Sequence, residues 1–276
     1  MDDIFADANR REDQLYNELA ASPVSELTGV VSSNGVGAGK SGGQELWSLL
    51  LTFDAWRVGS DPVRTESLTL RRRVTDVELR TFQALIDAET IIRIRARIAE
   101  NNVLGSPQGQ LEEFIQVDLA DSELHTHLAE LQKPVIHQDK RFGTLTFDRQ
   151  VSWYSGNVKW HGEAVDLNVN VEEADELIPA LHVAYALWDA ESAWSKRVSD
   201  YAVEKLLPLK NDNWLSDEEM ELSPEKFKKK MILQAISVYP DGEFEFWHDD
   251  GDLFWGHSIQ ISGNLTDGLT HADIPG

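Results

Sequence analysis

Three carboxylates fall within four residues, Asp249, Asp250 and Asp252, with His248 before them and His257 after. Oxygens this dense suit a hard divalent cation, and a histidine beside them could move a proton. A metal-dependent hydrolase built on Asp249, Asp250, Asp252 and His257 is therefore one expectation. The EF-hand spacing is absent, because no acids sit at positions one, three and five ahead of a distal Glu. Asp and Gly also tolerate positive φ, so the same residues are the ordinary content of a strand turn. Alternation then puts Leu253, Trp255, His257, Ile259 and Ile261 in one row, with His257 a hydrogen-bonded core histidine.

A second group is cationic. Arg93, Arg95 and Arg97 alternate with Ile92, Ile94, Ala96 and Ile98, so the three guanidinium groups leave one side of a strand. Arg71, Arg72 and Arg73 lie on the strand before. If these strands pair, they form an anion-binding strip; the competing reading is a solvated face neutralised by nearby Glu and Asp. Gly39-Lys40-Ser41 suggests a phosphate loop, but the required upstream glycine is Asn34 and a strand follows instead of a helix. His125 and His127, two apart on a helix, point to different faces and cannot share one metal. No Gly-x-Ser-x-Gly turn and no zinc-protease pair occurs, so no catalytic residue, metal ligand or cofactor is assigned.

The elements that must position these groups read as an α+β protein of two small modules, mainly antiparallel sheets packed with helices. An acidic segment, 1–25, is anchored only by Leu15, Tyr16 and Leu19. An α/β module spans 26–138. It opens with a glycine-rich stretch, Gly29 to Gly43, read as a flexible loop, and continues through strands at Trp47 to Trp56, Glu66 to Val74 and Thr90 to Ile98. Thr75 and Glu78 form a capping box for a helix between the last two, and Asp118 to Leu131 is a second helix. An α+β domain spans 139–276. Three short strands break at Asp148, at Ser155-Gly156-Asn157 and at His161-Gly162. A long helical stripe from Glu172 stops at Pro208. Ser216 with Glu219 is another capping box, and Ser223-Pro224 starts a short basic helix. Strands follow at Ile232 to Val238, Glu243 to His248 and Leu253 to Ser262, separated by turns at Tyr239 to Gly242 and Asp249 to Asp252.

Bulk composition narrows the function. The chain has 276 residues, a 41% hydrophobic share, nine Trp and ten Phe, enough to build real cores. It has no cysteine, which excludes disulfides, thiolate zinc sites and a cysteine nucleophile. The N-terminus lacks the apolar core of a signal peptide and no window approaches a membrane span, so a cytoplasmic protein away from the membrane is expected. The net charge of −23 repels phosphate backbones, which argues against nucleic acid, and it attracts a basic protein.

The hairpin also carries a resemblance. Gly242 to Trp247, then Asp249-Asp250-Gly251-Asp252-Leu253-Phe254-Trp255-Gly256-His257-Ser258-Ile259, Gly263-Asn264 and Ala272-Asp273-Ile274-Pro275-Gly276 resemble the C-terminal signature of an uncharacterised bacterial family, domain of unknown function 2262. Phe142 to Arg149 and Val158 to Gly162 resemble its start, so the likeness covers about 140–276. Residues 25–135 resemble the module often found ahead of it. The family supplies no activity to carry over. The expected function is therefore a non-catalytic acidic binding protein, in its specific form an immunity protein neutralising a toxin or effector, with Asp249, Asp250, Asp252, Trp247 and Trp255 meeting the partner.

Overall fold

The computed structural model describes residue 11 and residues 14–40, 44–117, 120–215 and 219–275. The chain divides into two compact units, Met1–Lys133 and Pro134–Gly276. Both combine helices with sheets that are mostly antiparallel, an α+β architecture.

In the first unit, strands β1 (Val24–Gly39), β2 (Trp47–Val58), β3 (Leu68–Val74), β4 (Ile91–Ala99) and β5 (Gln108–Val117) close into a barrel of order β1-β2-β3-β5-β4. Helix α1 covers residues 14–21, and its Leu15 and Leu19 are fully buried beside Ala99. These two side chains form a small cluster with Ala99 and Val103, separate from the main core of the barrel. Helix α2 (Asp76–Leu85) starts at the Thr75–Glu78 capping box, with the reciprocal bonds in place. Helix α3 (Ser122–Leu131) is capped by Asp121, which accepts from Leu124 N and is also paired with Arg57 of β2.

The glycine-rich stretch is a correction: Gly29 to Gly39 belong to the 16-residue strand β1, Lys40 lies outside it, and residues 41–43 fall outside the described residues. This strand pairs with β2 and β4 together, and those ladders hold it extended. Gly29 is there for a close approach, since a Cβ would stand 2.3 Å from the Phe53 ring. Phe53 is fully buried, so Gly29→Ala should destabilise the first unit by about 2 kcal/mol through overpacking, read as a lower urea midpoint. Strand β2, not a helix, follows the Gly39-Lys40 segment, and Ser41 lies outside the described residues.

The second unit is one eight-stranded sheet, β13-β12-β11-β10-β9-β8-β7-β6. Its strands are β6 (Ile136–Asp139), β7 (Gly143–Asp148), β8 (Trp153–Trp160), β9 (Glu163–Asn170), β10 (Ile232–Val238), β11 (Glu243–Asp249), β12 (Ser258–Asn264) and β13 (Gly268–Asp273). Neighbours are antiparallel except β9 and β10. That parallel pair needs a crossover, supplied by a 3-10 turn (Ala174–Glu176) and helices α4 (Leu177–Asp189), α5 (Glu191–Asn213) and α6 (Pro224–Lys230). Val165, Leu167, Phe244, Phe246, Ile259 and Ile261 form one core with Leu181, Leu187, Trp194 and Val198 of the helices. Alternation along β11 turns Glu243, Glu245, Trp247 and Asp249 to the opposite face.

Three further expectations are corrected. Ser155-Gly156-Asn157 is not a turn but the middle of β8, where a Cβ on Gly156 would meet Thr144 O at 2.8 Å. Pro208 lies within α5, which runs on to Asn213 and breaks instead at Ala190. The helix end beyond the proline is secured by side chains: the fully buried Lys210 donates from Nζ to Trp214 O (2.7 Å) and Glu219 (2.9 Å), and Asn211 bonds both backbone groups of Leu222. The last hairpin has a longer loop than expected, since Asp250 to His257 are outside the strands and β12 begins only at Ser258. Ser223 caps α6 as expected; Ser216 lies outside the described residues.

Candidate recognition loop

The loop between β11 and β12 is organised by one carboxylate. Asp250 is only 3% exposed, and its Oδ1 accepts from Asp252 N at 3.1 Å while Oδ2 accepts from Phe254 N at 2.5 Å and Gly256 N at 3.2 Å. Three backbone donors that no ladder serves are thus satisfied by one buried side chain. Asp249 accepts from Gly251 N at 2.9 Å. Gly251 (φ +53) sits tightly against α6, where a Cβ would stand 2.4 Å from Lys230 O, and Lys230 Nζ donates back to Gly251 O at 2.9 Å. Leu253 and Phe254 are fully buried and anchor the loop below.

On this frame Trp255 is turned outward. It is 68% exposed and takes φ +58, a region bulky side chains rarely adopt. Asp252 next to it has φ +63 and is also exposed. The Trp255 ring leans on Trp214, with centroids 4.8 Å apart, and Trp214 also meets Phe254 and His257 at 5.5 Å. His257 is therefore not in the apolar row of a strand. It is half-buried in the loop against Trp214, and its Nδ1 has no partner among the described residues.

The structure separates the expected site residues. Asp250 faces inward as the loop's scaffold, whereas Asp249, Asp252 and Trp255 are exposed. Trp247 lies half-buried on the sheet face opposite that of Phe244 and Phe246, where its Nε1 donates to Glu245 at 2.9 Å. Glu245 also accepts from Gln260 at 2.8 Å. Burial, and after it the carboxylates of Glu245, Glu243 and Asp241, push the Tyr239 hydroxyl up to about 12. Among the described residues no group of three or more His, Asp or Glu side chains could hold a metal ion.

The arginines are each matched to an acid: Arg93 to Glu26 (3.4 Å), Arg95 to Glu113 (2.9 Å) and Arg97 to Glu112 (2.7 Å). Their strand does not pair with the one bearing Arg71, Arg72 and Arg73, because β5 lies between with Glu112 and Glu113. Arg71 bonds Gln108 and Arg72 bonds Glu112 O.

One arrangement has no sequence signal. Ser195 Oγ lies 2.9 Å from His161 Nε2 and accepts from Trp160 Nε1 at 2.7 Å. Thirty-four residues separate this serine and histidine, so only the packing of α5 on the β8–β9 turn joins them. Glu191 accepts from the backbone N–H of His161, and among the described residues no carboxylate is seen bonded to its ring.

No curated protein and no solved structure matches the chain. Residues 12–131 match the model of a domain of unknown function, DUF7021. Residues 139–274, in the C-terminal half of the chain, match the model described as an uncharacterized protein conserved in bacteria, DUF2262.

Proposed function

We propose that this is a non-catalytic binding protein that captures a basic protein partner through the Asp250–His257 loop, in its specific form an immunity protein neutralising a bacterial toxin or effector. The observation that carries the reading is Trp255, an exposed indole at a strained backbone position on a loop fixed by a buried carboxylate. Backbone strain persists only where the surroundings impose it, and it concentrates at functional sites. A rigid outward aromatic is the usual anchor of an interface, because little side-chain freedom is lost when it docks. The exposed Asp249 and Asp252 precede it in the same hairpin, and the net charge of −23 steers a cationic surface towards the chain. The metal-dependent hydrolase has weaker support, since Asp250, central to that reading, already holds three backbone donors.

Binding to the purified product of the adjacent gene, measured calorimetrically at low salt, tests this. Trp255→Ala should weaken binding about 30-fold, roughly 2 kcal/mol, with an unchanged circular dichroism spectrum. Raising salt should weaken the wild type further. Equal affinity of wild type and Trp255→Ala would sink the reading. Tight divalent-cation binding lost in Asp250→Asn and Asp252→Asn would favour the hydrolase.

A further inference from the structure

On the helix side of the second unit a cleft of about 150 Å³ opens between α5, α6 and the strands β8, β10 and β11. Val198, Met231, Leu233 and Phe246 give it an apolar lining. A dry cavity of that size holds one benzene ring.

The polar groups around it are unequal in depth. His248 is deep, 8% exposed, and its Nδ1 has no hydrogen-bond partner among the described residues. Buried polar groups are ordinarily satisfied, so an unpaired imidazole nitrogen beside a cavity is an opening for a ligand. Burial, acting against weaker hydrogen bonds to the backbone of Ile259 and Phe246, brings this ring's pKa down to about 4 and holds it neutral, so Nδ1 is the nitrogen left to meet a ligand. Lys228 is half-exposed at the mouth. Its ammonium shares Asp200 with Lys196 and also lies near Glu225 of its own helix, and it is the cation at the mouth of the cleft. Lys226, Lys229 and Lys230 on the same short helix add to it, on a chain that is otherwise strongly anionic. Ser195 completes the lining with a hydroxyl fixed by Trp160 and His161.

We propose that this cleft binds a small aromatic hydroxycarboxylate. Its single ring fills the apolar space, its carboxylate meets Lys228 and Ser195, and its hydroxyl meets His248. A hydroxyl can donate or accept, so it satisfies either tautomer of the neutral imidazole. The site does not depend on the loop reading, because none of its residues belongs to that loop.

Titration calorimetry of the full chain with 4-hydroxybenzoate, benzoate and phenol tests it. 4-Hydroxybenzoate should bind most tightly, with benzoate and phenol each at least about fivefold weaker, the loss of one hydrogen bond. Lys228→Met should reduce 4-hydroxybenzoate to the level of phenol. Met231→Trp, which fills the space without touching the polar groups, should abolish binding of all three in a protein with the wild-type circular dichroism spectrum. Trp255→Ala should leave binding unchanged. No binding to the wild type at millimolar concentration would overturn the proposal, as would binding that survives Met231→Trp.

Discussion

Asp250→Ala should lower the stability of the second unit by about 3–5 kcal/mol. The carboxylate is 3% exposed and accepts from three backbone N–H groups, of Asp252, Phe254 and Gly256. Hydrogen bonds to a charged acceptor contribute about 1.5–3 kcal/mol each, and a buried donor left without a partner carries its full desolvation cost. The three losses are not additive, because the loop can relax once its centre is gone. Asp250→Asn keeps the shape and one carbonyl acceptor, so it should cost about half as much. Urea unfolding followed by tryptophan fluorescence measures both, with the second unit's transition separated from the first, since a two-unit chain need not unfold in one step. An unchanged midpoint for Asp250→Ala would show that the carboxylate does not hold the loop. The same variant should also free Trp255 from its fixed orientation, and weaken partner binding for that reason.

The second large effect is on pH dependence. Burial lowers the His248 pKa from 6.5 to about 4, the largest influence on it, with weaker opposing bonds to the backbone of Ile259 and Phe246. Below pH 6.5 the unfolded chain takes up a proton that the folded imidazole refuses until about pH 4. The unfolded state therefore binds more protons in that window, and stability is lost as pH falls through it. A separation of this size corresponds to about 3 kcal/mol between neutral pH and pH 4. His248→Leu should remove this part of the slope. Carboxylates titrating below pH 5 contribute alike to both proteins, so the difference between the two stability curves isolates the histidine. Parallel curves from pH 7 to pH 4 would show that His248 titrates normally.

Local chemistry was legible where the chain itself completes the interaction. The Thr75–Glu78 capping box and the Ser223-Pro224 start are satisfied within one turn, and both helices begin where the sequence puts them. Strand β10 follows from a short apolar run before a Pro-Asp-Gly turn. Glycine and proline misled because their roles depended on distant partners. Gly29 and Gly156 read as loop and turn, yet each makes room for a neighbour in a ladder, Phe53 and Thr144 respectively. Pro208 read as a helix stop, but Lys210 and Asn211 hold the far side of the break. Strand β5 went unread because bulges opposite Arg93 and Arg95 disturb its register with β4.

The recognition loop shows the same division. Alternation carried the hairpin from Leu253 directly into a strand, because nothing local reveals that Asp250 turns inward to gather three N–H groups and keeps the chain out of the sheet until Ser258. By itself the sequence determined the α+β class, the starts of α2 and α6, the acidic net charge and the grouping of Asp249, Asp250, Asp252 and Trp255. Tertiary structure decided that the first sheet closes into a barrel, that β5 neutralises the arginine strip, and that one aspartate is buried while its neighbours and Trp255 face out. The reason is physical: caps and charge are properties of a few adjacent residues, whereas burial and sheet closure depend on which distant segments arrive alongside.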